Sequence, residues 1–260
     1  MMLPAAVESR ILQNQEEMIQ TLLDLIAIPS VATSAPADGY PYGAACARAL
    51  DKMLGHLKDL GMSCRNYDHH MGAADWDPAL PPHLGILCHL DVVPAVREGW
   101  QSDPFAPVIR DSRIYGRGAI DDKGPAASVL FALRAIREAG IPLRKNVRFL
   151  LGCNEENGST DLEYYHTKDS MPPQVFTPDG SYPLIHLEKG MLRLQFTKQT
   201  KDPIFSFSAG TAPNAVPADA SVSLSAPLCG TAKPGGQIYT ARQRNRLQGR
   251  FCPRLHAGKR

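Results

Sequence analysis

The spacing of apolar residues over the first 190 positions predicts alternating helices and strands. Apolar residues recur at the spacing of an amphipathic helix in residues 9–28, 42–60 and 125–139. Residues 158–168 are also predicted to be helical. Short apolar runs typical of buried strands lie at residues 84–88, 146–152 and 174–177. Because helices alternate with buried strands, we predict an α/β domain with a largely parallel sheet flanked by helices.

The pattern changes after about residue 188. Leu192, Leu194 and Phe196 alternate with polar residues, which predicts a half-exposed antiparallel strand. A second strand is predicted over residues 220–224. From residue 229 onward no periodicity predicts an element.

Composition and charge exclude several classes of protein. The chain has 260 residues, of which 43% are hydrophobic and 21% charged, so it is neither mostly disordered nor collagen-like. The net charge of +2 is unevenly spread, because the last 32 residues carry eight basic side chains and no acidic one. No apolar run is long enough to span a membrane, and charges interrupt the N-terminal segment, so no secretory signal is predicted. The six cysteines form no Cys-x-x-Cys pair, which favours reduced thiols in the cytoplasm.

Four segments carry acidic or imidazole groups just past a predicted strand or at the entrance of a predicted helix. The groups in question are His89, Asp91, Asp121, Asp122, Glu155, Glu156 and Asp179. In an open parallel sheet, ligands bind outside the carboxyl ends of the strands. We therefore expect these side chains to converge at one edge of the sheet.

A divalent metal would explain such a cluster, since neighbouring carboxylates repel one another without a cation. Nitrogen and oxygen donors suit zinc, manganese or cobalt. His89 supplies an imidazole, and Asp91 could hold its other ring nitrogen. Of the adjacent acids Glu155 and Glu156, one would bind metal and the other would serve as a general base for water. Taken alone, each segment has a simpler explanation, such as a turn at Asp179 before glycine.

Two other functional motifs fit the sequence less well. The spacing Gly116-x-Gly118-x-x-Asp121 is similar to a dinucleotide-binding fingerprint, but Asp121 and Asp122 would repel a pyrophosphate. A Gly-x-Ser-x-Gly elbow, typical of serine hydrolases, does not occur in the sequence.

The same segments resemble the dizinc peptidases and deacylases that include aminoacylase, carboxypeptidase G and bacterial dipeptidase V. The resemblance is carried by His-Leu-Asp-Val-Val-Pro, Gly-Arg-Gly-Ala-Ile-Asp-Asp-Lys-Gly and Glu-Glu-Asn-Gly-Ser, within residues 85–179. The stretch Thr-Pro-Asp-Gly-Ser-Tyr-Pro is most similar to the dipeptidase V branch, which removes the N-terminal residue of dipeptides with a free amino group. The resemblance implies a zinc-peptidase-like catalytic domain with the start of a smaller α+β lid domain.

The resemblance also implies a site for two zinc ions, with manganese or cobalt as alternatives. His89 and Asp179 would bind one metal, and Asp121 would bridge both. Glu156 would bind the second metal.

The remaining site residues would act on water and on the ligands. Glu155 would be the general base that takes a proton from the bridging water and passes it to the leaving amine. Asp91 would orient His89, and a cis peptide bond would join Asp121 to Asp122.

The resemblance stops near residue 228, before the portion in which such proteins carry the second metal's histidine. It therefore implies an incomplete chain. Residues 1–187 would be the N-terminal part of the catalytic domain, 188–228 the beginning of the lid, and 229–260 a basic tail outside the fold, as a shifted reading frame, a truncation or a misassembled gene would give. We expect this chain to bind at most one metal tightly and to have little or no peptidase activity alone.

The sequence thus predicts a cytoplasmic metal-dependent dipeptidase that hydrolyses small peptides with water activated by the metals. Neither a nucleic acid nor a membrane is expected as a partner. Two alternatives stay open. One is an N-acyl amino acid deacylase of the same family, and the other is an inactive fragment whose basic tail binds nucleic acid.

Overall fold

The fold was analysed in a computed structural model of the chain. The structure describes residues 4–33, 39–95, 97, 99–183, 185–187 and 190. In addition, it describes four strands that follow residue 190. The chain divides into two compact units, Met1–Glu188 and Lys189–Arg260, which are described separately. Within the described residues, no helix combines the length and apolar composition needed to cross a lipid bilayer.

The first unit contains five α-helices and seven strands among its described residues. The helices are α1 Ala5–Gln13, α2 Gln15–Ile26, α3 Ala44–Asp59, α4 Lys123–Glu138 and α5 Thr160–His166. The strands are β1 Ser63–Tyr67, β2 Met71–Asp75, β3 Pro82–His89, β4 Val108–Arg110, β5 Arg113–Tyr115, β6 Asn146–Gly152 and β7 Gln174–Phe176. A turn of 3-10 helix, Glu155–Asn157, follows β6.

Five of these strands form one mixed sheet in the order β1-β2-β6-β3-β7. Strand β3 pairs in parallel with β6 on one side and with β7 on the other. Strand β2 runs antiparallel to both β1 and β6, so four of the five strands share one direction. The carboxyl ends of β3, β6 and β7 therefore lie along the same edge of the sheet. This arrangement confirms the predicted α/β fold.

Side chains of β6 alternate between two hydrophobic clusters on opposite faces of the sheet. Phe149 and Leu151 belong to the larger cluster, which includes residues of α2, α3 and α4. Leu150 packs instead with Tyr165 of α5 in the smaller one. Since both faces are covered, a continuous apolar run is the expected sequence of this strand.

The predicted elements of the first unit are present, with shifted ends. Asn14 divides the predicted helix over residues 9–28 into α1 and α2. Gly61 ends α3 with a φ of +81°. The amide of Met62 bonds to the carbonyl of Leu57 and that of Gly61 to Lys58, which is the Schellman pattern. Strands β1 and β2 were not predicted, because neither contains a run of large apolar residues.

A buried ion pair lies in the sheet between β2 and β6. The Arg148 guanidinium donates two hydrogen bonds of 2.9 Å to the Asp75 carboxylate, and both side chains are buried. Arg148 also donates to the Tyr165 hydroxyl and to Asp169. The positive charge of Arg148 is therefore paired with two carboxylates, those of Asp75 and Asp169.

The second unit contains a four-stranded antiparallel sheet in the order β11-β10-β9-β8. Its strands are β8 Ile204–Ala209, β9 Asp219–Leu224, β10 Ile238–Arg242 and β11 His256–Ala257. Strand β9 includes the strand predicted over 220–224. Strands β10 and β11 lie in the basic tail, where the sequence predicts no element. The strand predicted around Leu192–Phe196 lies outside the described residues.

Candidate metal centre

The four predicted site segments follow strands or precede a helix at one edge of the sheet. His89 is the last residue of β3, and Asp179 lies three residues after β7. Glu155 and Glu156 lie in the 3-10 turn after β6. Asp121 comes two residues before α4.

Three of these side chains form a group with the geometry of a metal site. His89, Asp121 and Asp179 each offer one ligand atom, and the three atoms lie within 4.8 Å of one another. The Nε2 atom of His89 is 3.0 Å from Asp121 Oδ1 and 3.4 Å from Asp179 Oδ2. One imidazole nitrogen and two carboxylate oxygens are donors that zinc, manganese and cobalt accept. These residues therefore fit a divalent metal.

Asp91 contacts the Nδ1 side of the His89 ring. The Nδ1 atom of His89 lies 3.0 Å from the backbone carbonyl oxygen of Asp91 and 3.4 Å from its carboxylate oxygen Oδ1. A proton on Nδ1 satisfies this contact and leaves Nε2 free to face Asp121 and Asp179. The structure thus puts Asp91 beside the ring nitrogen that the sequence analysis assigned to it.

The pKa values within the group report a local excess of negative charge. Burial by itself lowers the pKa of His89, but the hydrogen bond and charge of Asp91, with those of neighbouring acids, raise it to about 10. Burial and the charge of Asp121 raise the pKa of Asp179. Burial and nearby acids, Asp91 first, raise the pKa of the Glu155 carboxyl. A cation, whether a proton or a metal ion, is favoured at this position.

Glu155 and Glu156 lie beside the group but outside it. The Oε2 atom of Glu155 is 3.9 Å from His89 Nε2, and its side chain is half exposed. Burial and the charge of Asp121 raise the pKa of Glu156. Among the described residues, Asp121 and Glu156 are the two that the sequence analysis assigned to a second metal.

The segment Asp121–Lys123 is fixed by buried polar contacts. The bond between Asp121 and Asp122 is cis, as the resemblance implied. The buried Asp122 carboxylate accepts a 2.9 Å hydrogen bond from the His89 amide. Burial raises its pKa to about 7. The buried Lys123 amine donates to the carbonyls of Leu25 and Ile28 beside the C-terminal end of α2, which ties α4 to that helix.

Sequence reasoning missed one acidic residue near this site. Asp161, in the first turn of α5, is buried and accepts hydrogen bonds from the amides of Cys153 and Asn154. An acid in the first turn of a predicted helix is ordinarily explained by the helix dipole. The sequence therefore carries no signal that this carboxylate faces the end of β6.

The candidate site lies in a part of the chain that matches a known protein family. The model of peptidase family M20/M25/M40 matches residues 85–207. The chain is 34% identical over 218 residues to the putative dipeptidase YtjP of Bacillus subtilis (strain 168), an alignment that covers 81% of this chain and 47% of that protein. It is 36% identical over 221 residues to the Beta-Ala-Xaa dipeptidase of Lactobacillus delbrueckii subsp. lactis, covering 82% and 47%. The chain thus spans about half the length of these curated relatives.

The fold of this chain is also similar to the folds of solved structures. Human carnosine dipeptidase 1 superposes with a TM-score of 0.61 and 28% identity, covering 69% of this chain and 42% of that one. The M20 family metallo-carboxypeptidase Sso-CP2 of Sulfolobus solfataricus superposes with a TM-score of 0.54 and 26% identity, covering 64% and 37%.

Proposed function

Because the chain carries a domain of peptidase family M20/M25/M40, we propose that it is a metal-dependent dipeptidase that hydrolyses the peptide bond of small peptides. One observation carries the proposal. His89, Asp121 and Asp179 present a nitrogen and two oxygens to one point at the edge of the sheet where Glu155 also lies. This arrangement supports a metal site with a further carboxylate beside it, which is what metal-assisted hydrolysis requires.

We propose zinc as the metal, with manganese or cobalt as alternatives that the same donors accept. His89, Asp121 and Asp179 would hold one ion, and Asp121 and Glu156 would contribute to a second. When bound, the metal acidifies water and polarises the carbonyl group of the scissile bond.

The proposed role of Glu155 is that of a general base. Its carboxylate is half exposed, so it can reach a water molecule and a substrate, and its pKa is raised by burial and by surrounding acids. A carboxylate whose pKa is shifted toward neutrality both accepts a proton from water and returns it to the leaving amine. Asp91 supports this role by accepting the Glu155 amide at 3.1 Å.

Free dipeptides are the proposed substrates. The curated relatives cited above are named dipeptidases, which favours this class over N-acyl amino acids. We further propose a cytoplasmic location. It is supported by Cys46, Cys64, Cys88 and Cys153, which are free thiols in the described part of the chain.

The test is hydrolysis by the purified full chain after chelator treatment and addition of zinc, manganese or cobalt. Alanyl and β-alanyl dipeptides would be compared with an N-acetyl amino acid, and amine release would be measured. We expect metal-dependent cleavage of dipeptides, slower than the enzyme median of about 10 per second, since the second metal has two ligands among the described residues. Faster release from the acetylated compound would favour the deacylase.

A matched pair of variants tests the assigned base. Glu155→Gln should reduce turnover by about 10²-fold or more while metal affinity is kept. Glu163→Gln removes the same charge from an exposed position on α5 and should leave turnover unchanged. If the unmodified chain neither binds a divalent metal nor shows even slow metal-dependent hydrolysis, the proposed function is wrong.

A further inference from the structure

Four consecutive backbone amides at the end of β6 are held by two buried carboxylates. Asp161 Oδ2 accepts the amides of Cys153 at 2.7 Å and Asn154 at 3.0 Å. The two oxygens of Asp91 accept the next two amides, those of Glu155 and Glu156, each at 3.1 Å. Every amide between the strand and the 3-10 turn therefore bonds to a carboxylate oxygen.

The two carboxylates come from different parts of the fold. Asp91 lies just beyond β3, and Asp161 lies in the first turn of α5. Asp161 is only 2% exposed, and its second oxygen accepts the amide of Leu162 at 2.8 Å. Burial raises the pKa of Asp161, while the amides of Cys153, Leu162 and Asn154 act to lower it. Three amide donors compensate for burying this group.

The backbone of β6 is shaped to admit the Asp161 carboxylate. A Cβ atom added at Gly152 would lie 2.6 Å from Asp161 Oδ2, which is closer than real Cβ contacts allow. The last residue of β6 therefore has to lack a side chain for the carboxylate to reach the two amides beyond it. This is evidence for the contact that is independent of the hydrogen bonds.

From this geometry we infer that Asp161 is a positioning residue for Glu155 and Glu156. By fixing the amides of Cys153 and Asn154, it sets the direction in which the chain leaves β6 and hence where the next two carboxylates point. The inference rests on the proposed function for its catalytic consequence, because Glu155 is the assigned base. Its structural consequence, an ordered turn over 153–157, is independent of any activity.

The experiment compares three variants of the full chain. Asp161→Asn removes the charge and one acceptor, and Gly152→Ala pushes the carboxylate away from the amides while keeping its charge. Glu163→Gln is the matched control, because it removes an exposed acid from the same turn of α5. Amide hydrogen exchange, affinity for one equivalent of zinc, kcat and KM would be measured where each variant is fully folded.

We expect a local effect on the turn and an effect on kcat, without an effect on the first metal. In Asp161→Asn and Gly152→Ala, segment 153–157 should exchange at least about tenfold faster, while β3 and α3 keep the wild-type rate. The kcat should fall about 10- to 100-fold, as for other supporting contacts in metal sites. KM and zinc affinity at His89, Asp121 and Asp179 should stay within about twofold, and Glu163→Gln should match the wild type.

The measurements separate failure of this inference from failure of the proposed function. Unchanged exchange over 153–157, or an equal increase throughout the unit, would overturn the positioning role. A parallel loss of zinc affinity at the first site would also overturn it, because a general structural defect has that effect. If the wild type neither binds zinc nor hydrolyses any dipeptide but the exchange pattern is as expected, the proposed function fails and the assignment of Asp161 to the turn stands. If Asp161→Asn does not fold, Gly152→Ala decides the question.

Discussion

Replacing Asp91 with asparagine should weaken metal binding by a moderate and predictable amount. The His89 ring contacts the backbone carbonyl of Asp91 at 3.0 Å and its carboxylate at 3.4 Å. Asp91→Asn keeps the closer contact and loses the charge. Supporting contacts of metal-binding histidines are typically worth 10- to 100-fold in affinity. We expect the lower value, about tenfold, or about 1.4 kcal/mol.

The same substitution should also reduce the stability of the protein. The two carboxylate oxygens of Asp91 each accept one amide, from Glu155 and Glu156. Asparagine offers one oxygen, so one of these amides would face an NH₂ group instead. A buried donor without an acceptor costs about 1–3 kcal/mol. The free energy of unfolding in urea should fall by about this amount.

Zinc affinity would be measured by competition with a chromophoric chelator, at a temperature where circular dichroism shows the variant folded. Asp111→Asn is the control, because it removes the same charge from a side chain that is 85% exposed. Affinity that stays within twofold of the wild type would refute the role given to the Asp91 charge. Unchanged stability would refute the reasoning on the two amides.

Three further predictions concern stability. Asp75→Asn should lower the free energy of unfolding in urea by about 3 kcal/mol, the lower end for a broken buried pair, because Arg148 keeps other partners. A smaller loss than that of an exposed pair, under about 1 kcal/mol, would contradict this. Burial lowers the pKa of His70 from its ordinary 6.5, so the unfolded chain binds this proton more readily. Stability should therefore fall as pH drops below about 6.5, and His70→Gln should flatten this slope in thermal melts between pH 7 and 5. Zinc at 100 times its Kd should stabilise the chain by about 2.7 kcal/mol, an effect that a chelator or Asp179→Asn should remove.

The sequence predicts the elements that bury large apolar side chains and misses those that do not. Strand β6 appears in it as a continuous apolar run, because both of its faces are covered. Strand β2 is equally buried, but with the residues Met-Gly-Ala-Ala-Asp. A Cβ atom at Gly72 would lie 2.7 Å from Leu50 of α3, so the close approach of this helix requires small residues there. Small residues carry no periodic signal that would identify a strand.

The candidate site, too, was predicted from the sequence only in part. His89, Asp121 and Asp179 were expected to converge because strand ends are recognisable in the sequence, and the structure brings them within 4.8 Å. Asp161 was missed because its partners are backbone amides. Every residue except proline has an amide N–H, so the identity of the partner residues gives no sign of such a contact.

The order of strands in the sheet has a consequence for how the protein folds. Strand β3 lies between two parallel neighbours that are roughly 60 and 90 residues further along the chain. Such distant pairing is slow, because long loops must close before any contact stabilises them. Because His89 ends β3 and Asp179 follows β7, we expect the two side chains to meet after β7 has joined β3. The absorption of cobalt changes when the ion is coordinated. In a refolding experiment with cobalt present, this absorption should therefore rise when β7 pairs with β3.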